Sequence, residues 1–116
     1  MQQADGRILL FHLSGPMSFS SAKAMVRRHA AVTDYDIMLL DLTDTQSIDY
    51  TSARAMEDII VDSMHAGRKV FLVGARPDVR LILERQKVTR HLDRDCIFAN
   101  RLDALREAAR HLQGNH

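Results

Sequence analysis

Two short segments, residues 37–40 and 70–73, are apolar at every position (Ile-Met-Leu-Leu and Val-Phe-Leu-Val), and they constrain the fold more than any other feature. Strand side chains alternate between two faces, so an unbroken apolar run of this length reads as a strand covered on both sides. Between and after these runs the apolar residues change period. Ala53, Met56, Ile60 and Met64 recur at helical spacing, as do Val79, Ile82 and Leu83. Strands alternating with helices need crossover connections, which predicts an α/β domain with a mostly parallel sheet.

The remaining segments extend this pattern to about four to five strands with four helices packed around them. In residues 7–14, Ile8, Leu10 and His12 point one way and Leu9, Phe11 and Leu13 the other, which predicts a central strand. The tetrad Gly15-Pro16-Met17-Ser18 breaks it. A helix is expected from near Ser20 to about Thr33, with Ala22, Met25, Val26, His29 and Ala30 inward and Ser20 or Ser21 as N-cap. Asp49, Thr51 or Ser52 can cap the second helix, Gly67 ends it, and Pro77 suits the first position of the third. Ile97 and Phe98 make a last short strand before a closing helix with Leu102, Leu105, Ala109 and Leu112 on one face.

A chain of 116 residues holds one such domain, spanning residues 1–116, and can bury roughly two-thirds of its unfolded surface. Sixteen basic and fifteen acidic residues nearly cancel, so no overall field draws in nucleic acid. A single cysteine, Cys96, excludes an internal disulfide and fits a reducing compartment such as the cytoplasm. Residues 1–6 are polar, unlike a secretory signal, and no apolar run has the length to cross a bilayer.

Ligands of parallel sheets gather at the carboxyl ends of strands, where helix N-termini offer unpaired amides. Two hydroxyl-rich loops qualify, residues 15–21 and 43–52. Capping explains Ser20, Ser21, Thr51 and Ser52 without a ligand. The sharper alternative is an anion at the start of the second helix, against which Asp49 argues. Asp41 at a strand end suggests a phosphoacceptor, but the first strand offers no acidic pair to hold magnesium, and Asp41 reads as a loop hydrogen-bonder. The histidines lack metal-ligand spacing and the serines lack a nucleophile elbow, so no metal, cofactor or catalytic centre is expected. Arg76, Arg80, Arg85, Lys87, Arg90 and Arg94 are interleaved with Asp78, Glu84, Asp93 and Asp95 and read as a solvated face.

Three segments together resemble the STAS family, named for sulfate transporters and anti-sigma-factor antagonists. They are Gly15-Pro16-Met17-Ser18-Phe19-Ser20-Ser21-Ala22, then Asp41-Leu42-Thr43 with Ser47-Ile48-Asp49-Tyr50-Thr51-Ser52, and Gly67-Arg68-Lys69-Val70-Phe71-Leu72-Val73-Gly74. The resemblance implies a small STAS-type fold and a module that binds and regulates without doing chemistry. Antagonists carry an aspartate where Ser18 stands, and a phosphorylatable serine then a glycine where Tyr50 and Ser52 stand. Both loops therefore look like the sulfate permease branch. That branch implies a domain on the cytoplasmic side of the inner membrane, in a secondary anion (sulfate) transporter whose transmembrane domain is its partner. Another cytoplasmic protein or a nucleotide is a further candidate partner. The candidate contact residues are Ser18, Ser20, Ser21, Asp49, Tyr50, Thr51 and Ser52. The alternative, a free-standing partner-switching regulator, implies phosphorylation at Thr51 or Ser52.

Overall fold

A computed structural model describes residues 8–32 and 34–114, without the side chains of Phe19 and Gln113. The expectations for residues 1–7, for a helix end at Thr33 and for His116 lie outside the described residues. Five strands and four helices carry the main architecture from β1 (Ile8–His12) onward: β2 (Gly15–Met17), α1 (Phe19–Ala31), β3 (Ile37–Asp41), β4 (Thr45–Ile48), α2 (Tyr50–His65), β5 (Lys69–Val73), α3 (Pro77–Arg85) and α4 (Arg101–Gly114). A two-residue strand, β6 (Ile97–Phe98), precedes α4, and 3-10 turns at Thr89–His91 and Arg94–Cys96 lead into it.

Four strands form a wholly parallel sheet in the order β1-β3-β5-β6. All five residues of β3 are buried, because β1 and β5 flank it and helices cover both its faces. α1 and α2 pack side by side, and α4 packs on β3, β5 and β6 away from that pair. The unbroken apolar runs of β3 and β5 thus follow from their place in the sheet.

Several expected placements are corrected. β1 lies at the edge of this sheet rather than in its centre. Apolar residues on both sides report that the two faces are covered, not that both edges are paired. Leu9 and Phe11 are buried while Ile8 and Leu10 are only partly so, as an edge allows. The stripe of α1 is narrower than expected: Ala22, Met25 and His29 are buried, whereas Ala30 faces solvent and Val26 is 39% exposed. In α4 the buried stripe is Ala104, Ala108 and Leu112, while Leu102 is 58% exposed and Ala109 only partly buried. Small alanines at 104 and 108 let that helix approach the sheet closely, and Leu112 continues the stripe one turn on.

The segment expected as loop holds a second sheet. β2 pairs in parallel with β4, Gly15 opposite Thr45, Pro16 opposite Ser47 and Met17 opposite Ile48, with the register shifting between Gly15 and Pro16. Proline donates no ladder bond, so it is tolerated in a short edge strand at an irregularity. Thr45-Gln46-Ser47-Ile48 has only one apolar residue, too few to give a strand signal.

Helix ends follow local chemistry. Asp49 caps α2, its Oδ1 accepting from the Ser52 amide at 2.7 Å. At the far end Gly67 takes φ +80, and the amides of Gly67 and Arg68 donate to the carbonyls of Met64 and Ser63, a Schellman closure. Met64, expected inward, is 43% exposed at this last turn. Pro77 begins α3 as predicted, and Val79 and Leu83 are buried.

Candidate functional site

The β2–β4 ladder sits at the carboxyl end of the main sheet and joins the two loops that the sequence offered separately. The Leu13 amide donates to Asp41 O at 3.1 Å, the Gly15 amide to Asp44 O at 2.9 Å, and the Thr45 hydroxyl to Leu13 O at 2.7 Å. Each bond carries the chain from the end of β1 or β3 into the small sheet. The starts of α1 and α2 therefore follow directly from paired strands, and residues 18–21 and 49–52 lie at one end of the molecule.

The two helix starts differ in charge and in capping. Ser18 holds the N-cap position of α1, yet its side chain makes no capping bond. Ser20 and Ser21, expected as caps, lie within the first turn instead; Ser20 is exposed and Ser21 half-buried. The first amides of α1 are thus not taken by a capping side chain. At α2 the Asp49 carboxylate already fills that role, so the position proposed for an anion carries a negative group of the protein itself. The Ser52 hydroxyl and amide beside it hold the Asp49 carboxyl below the usual carboxylate range. The amide makes the directed bond, since the single hydroxyl proton points to Met17 O at 3.1 Å.

Tyr50, Thr51 and Ser52 open α2 in three different environments. Tyr50 is 59% exposed and Thr51 is exposed, whereas Ser52 is fully buried. The Ser52 hydroxyl crosslinks α2 to the end of β2. Of the two hydroxyls considered for phosphorylation, only that of Thr51 stands in solvent.

Two carboxylates brace this end of the molecule. Asp44 accepts from or pairs with His12 Nε2 at 2.8 Å, closing the ends of β1 and the β3–β4 turn on each other. Asp41 is buried; its Oδ1 accepts from the Thr43 amide at 3.1 Å and the Thr43 hydroxyl at 2.6 Å, the loop role expected of it. Its Oδ2 has no directed hydrogen bond but lies 3.2 Å from Arg101 Nε, tying the first residue of α4 to the sheet. Spacing in sequence could not have joined residues so far apart. Gly74, at φ +68, completes this corner, because a Cβ there would collide with the Thr43 hydroxyl.

At the opposite end a buried cluster joins α1, the approach to β3 and α2. His29 Nε2 lies 2.7 Å from the Tyr35 hydroxyl and 3.1 Å from that of Ser63, and the two hydroxyls are 2.7 Å apart. Burial pushes the His29 imidazole below its ordinary pKa, with Asp62 opposing and Arg68 reinforcing the shift. Among the described residues no group of three His, Cys, Asp or Glu could hold a metal ion, and no helix is long and apolar enough to cross a membrane.

Comparison with known proteins adds the lineage. The model of the STAS domain matches residues 1–105. Over 108 residues the chain is 35% identical to the bicarbonate transporter BicA of Synechocystis sp., a match covering 93% of this chain and 19% of that transporter. The chain thus spans less than a fifth of that relative's length. A sulfate transporter family protein from Wolinella succinogenes superposes with a TM-score of 0.83 at 18% identity, covering 91% of this chain and 88% of that one. The STAS domain of a SulP transporter from Vibrio cholerae gives 0.80 at 21% identity, with coverages of 93% and 85%. At such identities these two likenesses establish the fold.

Proposed function

Since the chain belongs to the STAS domain family, we propose that it serves as the cytoplasmic, non-catalytic regulatory domain of a sulfate permease-type secondary anion transporter. The observation that carries this reading is the match of nearly the whole chain to part of a membrane transporter at 35% identity. The β2–β4 end is the contact surface for the transmembrane domain in this proposal. It offers an exposed aromatic, Tyr50, beside exposed Ser18, Ser20 and Thr51 on short, strand-tethered turns. Tyrosine supplies contact area at small entropic cost and is enriched in protein interfaces for that reason.

The test uses the full reading frame that contains this chain, expressed with and without residues 8–114 and followed by initial rates of labelled sulfate and bicarbonate uptake. The proposal expects membrane-fraction protein in both cases and a changed uptake rate when the domain is removed. A soluble product, or uptake indifferent to the deletion, would refute it. A partner-switching regulator would instead be phosphorylated by a serine/threonine kinase at Thr51. The buried Ser52 and the aromatic Tyr50 weigh against that reading.

A further inference from the structure

Side by side on one face, α1 and α2 leave a cavity of about 320 Å3 lined by Ala22, Lys23, Val26, Arg27, Thr51 and Ala55. Its floor is apolar and made of small residues, because both helices turn alanine, valine or threonine methyl groups toward it. The space suits one bulky apolar side chain that this face does not itself supply. Its rim is basic. Lys23 and Arg27, one turn apart on α1, line it, and no carboxylate lines the cavity. Arg27 is exposed and has no ion-pair partner among the described residues.

We propose that this groove docks an acidic peptide segment through a single leucine- or phenylalanine-sized anchor, with flanking carboxylates meeting the basic rim at Lys23 and Arg27. Beyond Val26 the surface continues into a groove where Arg54 stands among Glu57, Asp58 and Asp62, and Glu57 is already paired with His91 at 2.9 Å. Those acids restrict an acidic ligand to the basic end, which a short segment satisfies. An anionic membrane would have to cover both ends and would meet Asp58 and Asp62. A second copy turned about Val26 would bring only valine and alanine to a cavity that lacks a bulky anchor. The acidic peptide is the occupant that fits both the shape and the charge. The groove shares only Thr51 with the loop surface, so its failure would leave the transporter reading standing.

The probe is the peptide Gly-Glu-Glu-Leu-Glu-Glu-Gly, titrated into the isotope-labelled full chain and followed by amide chemical shifts. The expected result is saturable shifts concentrated at Ala22, Val26, Arg27, Thr51 and Ala55, lost with the glutamine-for-glutamate or the glycine-for-leucine peptide. The double variant Lys23→Glu, Arg27→Glu, whose spectrum also reports that it is folded, should bind at least about tenfold more weakly. Equal shifts from the glutamine peptide would overturn the proposal, as would shifts centred elsewhere. So would perturbation of these amides by phosphatidylglycerol vesicles but not by the peptide, or by raising the concentration of the chain alone.

Discussion

Ser52 shows how much one side chain can decide in this domain. It is fully buried, and its hydroxyl joins the first turn of α2 to the last carbonyl of β2. Ser52→Ala removes that bond and should cost about 1–2 kcal/mol in urea unfolding. Ser52→Asp would place a charge without a partner in the same space and should cost at least about 3 kcal/mol. Thr51→Asp, exposed in the same turn and near the positive end of the helix, should stay within about 0.5 kcal/mol of the parent. A loss as large at Thr51 as at Ser52 would mean the two side chains are placed wrongly. His29 gives the pH counterpart. Its folded pKa lies below the ordinary 6.5, so the unfolded chain binds more protons as pH falls. The stability from the neutral ring is complete above about pH 6.5 and is lost progressively as pH falls toward the folded pKa. Urea midpoints should therefore drop between about pH 7.5 and 5.5, and less steeply in His29→Gln. An equal slope in the variant would assign the drop to other groups.

At the level of elements, the two α4 faces can be set against each other. Ala108 is fully buried, so Ala108→Leu should overpack the contact with the sheet and cost about 1–3 kcal/mol. Leu102→Ser, on the exposed side, should change stability by no more than about 0.5 kcal/mol. The reverse order would restore the stripe read from the sequence. Gly74→Ala meets both a left-handed backbone and the Thr43 hydroxyl, and should destabilise by more than about 1 kcal/mol. What the sequence revealed of these elements follows from which signals are local. β3 and β5 were legible because burial on both faces writes an unbroken apolar run. The starts of α2 and α3 were legible because Asp49 and Pro77 act within one turn. The β2–β4 pair was not, since its bonds join segments about thirty residues apart and its strands are short, polar and interrupted by proline. The edge position of β1 was hidden for a related reason: composition reports what covers a strand's faces, whereas pairing partners are a property of topology.

For the whole molecule, the loops at the β2–β4 end were legible as a pair of candidates, but their union was not. The missing information was the ladder that fastens one to the other. The fold is the one shared with the STAS domains of the Wolinella and Vibrio proteins. Within that common scaffold, this chain places Tyr50 in solvent and Ser52 in the core, which favours a docking surface over a phosphorylation switch. In the proposed function this end meets the membrane part of an anion transporter. That contact is tested by the initial rate of anion uptake by the full-length parent carrying Tyr50→Ala together with Ser18→Glu, at matched amounts of protein in the membrane. A clear change in rate is expected while the isolated domain keeps its unfolding midpoint. Uptake equal to that of the unaltered parent would contradict it.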